Sequence, residues 1–241
     1  MTELLKQNWL TILVVLYLMG MMLYGHYRGF FKIAVSTIAL VITIALVSVA
    51  LPYVSSFIKT NTGVESVVKG VIIKDIGLDV TESDSTTSRE GQTETISGLK
   101  LPNEAKEMLI KYNTGEIWQT LGVEGFTDYV ASYLSNTVFN VIGFVLLFII
   151  IWVLLHIAIN FADLFTRLPV IHGLNQIAGA IIGLMEGLVF VWIGCMVISA
   201  FAGSTFGSSI YSLVASSEWL LFLFNHNLFS FFLRNIIYSL F

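Results

Sequence analysis

Charge is what this chain lacks most. Only 12% of its 241 residues are charged, whereas soluble domains run at roughly a quarter. So little polar material could not cover the surface of a water-soluble domain of this length, and ordinary soluble enzymes and disordered proteins are excluded early. Cysteine is nearly absent. A lone Cys195 forbids any internal disulfide, so this is no disulfide scaffold. There is no block of basic residues and the net charge is −4, so nothing suggests a nucleic-acid partner. Even alternation of apolar and polar residues is also missing, which argues against a membrane barrel.

What is present is apolar: 56% of residues are hydrophobic and the mean hydropathy is +0.84. The solvent that fits is lipid, and the expected spans are apolar runs of about 20 residues. Four such runs stand out, at 9–24, 33–51, 138–159 and 177–202. The first gives about 24 Å of helix, short for a core of about 30 Å, and reaches a usable length when counted from Asn8 to Tyr27. Trp9, Tyr24 and Tyr27 then serve as interfacial anchors. It lacks a small-x-small cleavage site before Arg28 and Lys32, and a second span follows at once, so it reads as a retained helix and not a signal peptide. Pro52 closes the second run. The expected fold is all-α, with four transmembrane helices as two hairpins. The first hairpin turns through residues 25–29 and the second through 161–174.

Four segments follow: a first hairpin at 1–51, an insert at 52–135, a second hairpin at 136–203 and an aromatic tail at 204–241. The insert holds 12 of the 16 acids and 7 of the 12 bases, a net −5. Val64, Val67, Val68, Val71 and Ile72 keep helical spacing, as do Ala105, Met108, Leu109 and Tyr112 after Pro102, so both stretches read as short amphipathic helices. Residues 79–98 are rich in Ser, Thr and Glu, and the expectation is that they cannot bury enough surface to order themselves. Phe126, Tyr129, Val130 and Tyr133 extend the third span outward. The tail carries aromatic runs at 219–224 and 228–241, each too short to span; Asn227, Ser230, Arg234 and Tyr238 share a face, as in a helix lying at the interface.

Arg28, Lys32 and Arg167, with His26 and His172, lie by both hairpin turns; Lys6 and Lys59 lie near the opposite surface. The charge in the short loops favours turns in the cytoplasm and both termini outside.

Few residues carry candidate chemistry. Gly179, Gly183 and Gly187 recur every fourth residue, and Gly194 follows two turns later, a smooth stripe that lets another helix approach closely. That helix is either a neighbour in the same chain or a second copy. Glu186 is the only acid inside an apolar span and lies about 14 Å along it, near mid-bilayer. It reads either as a proton or ion site or as a neutral acid hydrogen-bonded between helices. His156, Asn160 and Asp163 share a helix face. The plainer reading is an interfacial polar face, with Asp163 paired to Arg167 at i+4; the sharper one is a relay. Gly25 and Gly29 permit a tight turn, and Arg28 between them either fixes topology or reaches headgroup phosphates or the other hairpin's carbonyls. No catalytic constellation, metal set or cofactor motif is found.

Asn8-Trp9-Leu10, an apolar span and Gly25-His26-Tyr27-Arg28-Gly29-Phe30 resemble the start of colicin V production (CvpA) family proteins, whose first hairpin turns on an Arg-Gly pair. Leu168-Pro169, Gly173-Leu174-Asn175 and the ladder from Gly179 to Gly187 resemble their second hairpin, with Asn175 at its mouth. The resemblance is expected to cover the hairpins, about half the chain, and not the insert or the tail. The family often has Asp where this chain has Thr11 and a basic residue where it has Gln176, so roles of those charges do not carry over. The resemblance implies a multi-pass protein of the bacterial cytoplasmic (inner) membrane, linked to toxin production or export and to the cell envelope. Related four-span domains occur fused to an extracytoplasmic serine protease, which agrees with a C-terminus outside. The expected function is a non-enzymatic scaffold or accessory factor without cofactors, its partners being the lipid bilayer and a second copy or other envelope proteins. The alternatives are a small oligomeric transporter or channel with Glu186 in its pathway, and an anchor for a separate extracytoplasmic enzyme.

Overall fold

The computed structural model describes residues 2–62, 64–76, 88–162 and 172–227. They form ten helices, and no strand occurs among the described residues. In chain order these are α1 (Thr2–Arg28), α2 (Phe30–Thr62), α3 (Val64–Ile76), α4 (Arg89–Gly98), α5 (Asn103–Lys111), α6 (Gly115–Leu121), α7 (Phe126–Ala162), α8 (His172–Ala200), α9 (Thr205–Ala215) and α10 (Glu218–Asn225). Four are long and apolar enough to cross a membrane, over Asn8–Arg28, Phe30–Phe57, Phe126–Ile159 and Leu174–Ala200. At 1.5 Å per residue these windows run from about 30 to about 50 Å, enough for a bilayer core.

The helices exceed their expected limits in several places. Pro52 does not close α2 but lies inside it. Proline removes one backbone hydrogen bond, and such a loss is tolerated in an apolar helix when neighbouring groups adjust. The turn expected over 25–29 contracts to the single residue Gly29, at φ +75° between α1 and α2. Its N–H donates to the Gly25 carbonyl at 2.9 Å, a left-handed helix stop that a side chain would strain. The connection expected over 161–174 shortens as well, since α7 runs to Ala162 and α8 starts at His172. Residues 163–171, including Asp163 and Arg167, lie outside the described residues.

The chain divides into two compact units. The first gathers Met1–Pro52, Gly143–Cys195 and Leu213–Phe229: α1, most of α2, the C-terminal part of α7, most of α8, and α10. Its α10 is capped by Ser217, whose hydroxyl accepts from the Leu220 N–H. It docks on α8 through Trp192, whose indole donates to the Leu223 carbonyl at 3.2 Å, while the Asn227 amide donates to the Trp192 carbonyl at 2.8 Å. The aromatic run at 219–224 is thus a docked helix with Leu220 and Phe224 buried. The run at 228–241 lies outside the described residues.

Among the described residues the second unit gathers those within Tyr53–Ile142 and Met196–Ser212. Its core is Ile76, Ile96, Leu99, Leu109, Tyr112, Ile117, Phe126, Tyr129, Val130 and Tyr133. Both expected amphipathic helices are there, as α3 and α5. The expectation for 79–98 is corrected: residues 89–98 form α4. The Ser88 hydroxyl accepts from the Gly91 N–H at its start, and Ile96 is 0% exposed in the aromatic core. One isoleucine in a polar stretch suffices because α5 and α7 supply the rest of the apolar surface. Polar ties hold the layer: Asn113 Nδ2 donates to Gln92 Oε1 at 2.6 Å, Trp118 Nε1 to Asn113 Oδ1 at 2.8 Å, and Tyr129 Oη to the Leu109 carbonyl at 2.7 Å. Residues 79–87 lie outside the described residues.

Candidate functional site

Two features of the first unit carry the residues singled out from the sequence. One is a contact between backbones. A Cβ built on Gly25 would land on the Gly179 carbonyl and lie 3.0 Å from Gly183 Cα. One on Gly183 would lie 2.9 Å from Gly25 Cα, and one on Gly187 2.9 Å from Met21 Cβ. Three glycines of the α8 stripe thus lie against α1 of the same chain, joined by Gly25, while Gly194 meets nothing within 4 Å. At the open end, Gly29 sits against the Asn175 amide, so the tight turn and the start of α8 are fitted to each other. The Arg28 guanidinium lies 5.0 Å from the centre of the Tyr24 ring, one turn back on α1.

The other feature is a polar cluster joining α2, α7 and α8. The Ser36 hydroxyl donates to Glu186 Oε1 at 2.9 Å, and Ser36 Oγ lies 3.1 Å from His156 Nε2. His156 Nδ1 lies 3.0 Å from the Trp152 carbonyl, and the Trp152 ring lies against the imidazole with centroids 4.2 Å apart. Phe190 meets Trp152 edge-on at 5.8 Å. Glu186 is 3% exposed, and its Oε2 has no hydrogen-bond partner among the described residues. Tyr17 and Arg28 of α1 lie within electrostatic reach of this carboxyl. A carboxyl, a hydroxyl and an imidazole in line are groups that hold and exchange protons.

The sequence grouped His156 with Asn160 and Asp163; the structure joins it to Ser36 and Glu186. Asn160 lies near the end of α7, its side chain outside the described set. Ser36 was not foreseen. A signal existed, because Ile33, Ser36, Leu40, Thr43, Val47 and Leu51 all fall on the buried seam of α2 at spacings of three or four. Thr43 satisfies its hydroxyl on its own helix, donating to the Ala39 carbonyl at 2.8 Å. Ser36 reaches across to two other helices.

Four apolar helices, two of them packed through glycine backbones, with one buried acid among the described residues, define a polytopic α-helical membrane protein. Residues 114–226 match the family model described as Colicin V production protein. The match spans just under half of the chain and takes in α8 with its glycines, Asn175 and Glu186. It departs from expectation at both ends. It begins within the insert and continues through α9 and α10 of the tail, and it leaves the Gly25–Gly29 turn outside. No curated protein and no solved structure matches the chain.

Proposed function

We propose that this chain is a non-enzymatic scaffold or accessory component of the bacterial cytoplasmic membrane, acting in toxin production or export or a related envelope process. The observation that carries this reading is the built helical layer outside the apolar windows. Helices α3 to α6 share one aromatic core with the start of α7, which gives a shaped surface for partners. The family match supplies the process. Partners are the lipid bilayer, other envelope proteins and a second copy. The basic residues Arg28 and Lys32 at the first turn favour that turn in the cytoplasm, with both termini and the insert outside. Cysteines introduced at Tyr27 and Glu90 should label from opposite sides of the membrane, Glu90→Cys from outside. Labelling of Tyr27→Cys from outside overturns the orientation.

The deciding experiment is crosslinking in native membranes followed by mass spectrometry. Reproducible crosslinks from the helical layer, through Lys100 or Lys106, to other envelope proteins are expected. A chain that crosslinks only to itself sinks the accessory role. The second reading, a small oligomeric transporter or channel with Glu186 in its path, is favoured by the buried Ser36–His156–Glu186 cluster. Proton flux in proteoliposomes, lost in Glu186→Gln, separates the two.

A further inference from the structure

Hydrogen-bond bookkeeping at Ser36 constrains where the protons sit. A backbone carbonyl only accepts, so His156 Nδ1, 3.0 Å from the Trp152 carbonyl, carries a hydrogen. The Ser36 hydroxyl has one hydrogen and two close neighbours, Glu186 Oε1 and His156 Nε2. If the hydroxyl donates to the carboxylate, Nε2 must carry a hydrogen to donate to Ser36, and His156 is an imidazolium facing an ionised Glu186. If the hydroxyl donates to Nε2 instead, the imidazole is neutral and Oε1 must be protonated to donate to Ser36. The two arrangements have the same atoms and the same net charge. They interconvert when the O–H bond at Glu186 breaks, its proton joins Ser36 Oγ, and the proton leaving Ser36 forms the N–H bond at Nε2.

We propose that Ser36, His156 and Glu186 form an exchangeable proton site, in which one hydroxyl wires a buried carboxyl on α8 to an imidazole on α7. Its ligand is a proton taken from water. The unpartnered Glu186 Oε2, on a carboxyl 97% buried by its 3% exposure, is where an incoming proton attaches once Oε1 is engaged. With the pair in its ionic form, that proton makes a new O–H bond at Oε2 and leaves the site one charge more positive. The Trp152 ring lies against His156, their centroids 4.2 Å apart. Among the described residues, α1 presents Tyr17 and Arg28 to the same carboxyl, α2 only Ser36, and α7 only His156. The Trp152 carbonyl fixes the Nδ1 hydrogen in every state, so the ring need not turn. The site stands whether the bundle conducts protons or only scaffolds.

The test uses the full-length protein in lipid nanodiscs with ¹⁵N-labelled histidine. His156→Gln assigns the His156 ring signals, and Glu186→Gln assigns the protonated-carboxyl band in infrared difference spectra across pH. Two groups joined by a shared proton titrate as a pair. In the wild type the His156 signals and the Glu186 band should therefore change together. Glu186→Gln should displace the His156 midpoint by about one pH unit or more, a tenfold change in proton affinity. Ser36→Ala should separate the two titrations and Ser36→Thr should keep them joined. An unchanged His156 titration in Glu186→Gln, a near-isosteric variant that needs no refolding to read, overturns the proposal. So does joint titration in an assembled Ser36→Ala protein.

Discussion

The two compact units differ in their closest contacts. In the first, the closest approach is backbone on backbone, with Gly25 of α1 against Gly179 and Gly183 of α8, while large apolar side chains point outward. Leu16 is 63% exposed, and Leu154 and Ile181 are likewise exposed. In the second, Leu109 is 0% exposed, and the aromatic rings of Trp118 and Tyr129 stack with centroids 5.7 Å apart. Such a difference is what lipid on one surface and water on the other would produce. Lipid tails are as apolar as leucine, so an outward leucine costs nothing there and association rests on packing between small residues. In water the same leucine must turn inward, where removing its surface from solvent is the main favourable term.

The largest way to break this contrast is at the glycine contact. Gly183→Leu places a side chain where Gly25 Cα already lies 2.9 Å from a built Cβ. The obstacle is backbone, which cannot rotate aside, so α1 and α8 must separate. The expected cost exceeds the about 1–3 kcal/mol of ordinary overpacking, and the outcome is loss of properly assembled protein, read by size exclusion and thermal unfolding in mild detergent. Gly194→Leu, at an open position on the same helix, should assemble normally if no second copy covers it. Normal assembly of Gly183→Leu would falsify the α1–α8 packing.

Next in size is Leu109→Ala in the aromatic layer. It removes a fully buried side chain, and such changes cost about 2–5 kcal/mol, depending on how far the site collapses. It also disturbs the carbonyl that accepts from Tyr129 Oη. The loss should appear as early unfolding of α4 to α6 by hydrogen exchange, with the α1–α8 contact still protected. Simultaneous loss of protection in both places would mean that the units do not differ as described.

What could be read from the sequence divides along the same line. The span centres are legible because a run without charge has one explanation, and the glycine stripe because a spacing of four has one geometric meaning. Helices α3 and α5 show through their apolar faces. Helix α4 does not, because it contributes only Ile96 and the flanking Leu99, and its order comes from partners distant in sequence. Pro52 misleads by a rule that holds better in water than in an apolar helix. The polar cluster is half legible. Glu186 stands out as the lone acid in a span, but its hydroxyl partner is 150 residues away, and nothing local marks Ser36 except its place on a buried seam. The spacing puts His156 on a face shared with residues near it in sequence, whereas its contacts come from α2 and from Trp152 on its own helix.

A smaller effect sharpens the corrected reading of α4. Ser88→Ala removes the hydroxyl that accepts from the Gly91 N–H at 3.2 Å. An N-cap of this kind is worth about 1 kcal/mol. The bond is exposed and the helix is anchored through Ile96, so α4 should fray at its start and persist at its end. Amide exchange at Gly91 should accelerate while exchange at Ile96 changes little. Equal acceleration at both would mean that the cap, and not the core contact, holds the helix.

The smallest expected effect is the most telling. Leu16→Ala is the same chemical change as Leu109→Ala, made on an outward face of α1. If that face meets lipid, hydrocarbon takes the place of the lost carbons, no cavity forms, and the reference state is equally apolar. Stability in a bilayer should then stay within about 0.5 kcal/mol of wild type, as for substitutions away from packed features. The measurement is thermal unfolding in nanodiscs, with Leu109→Ala run beside it under the same conditions. A loss for Leu16→Ala that rivals Leu109→Ala would show that α1 carries a packed face against another protein. The glycine contact with α8 already occupies one side of α1, so this partner would have to bind on the other, and the contrast between the two units would then describe an unfinished assembly, with α1 as its open edge.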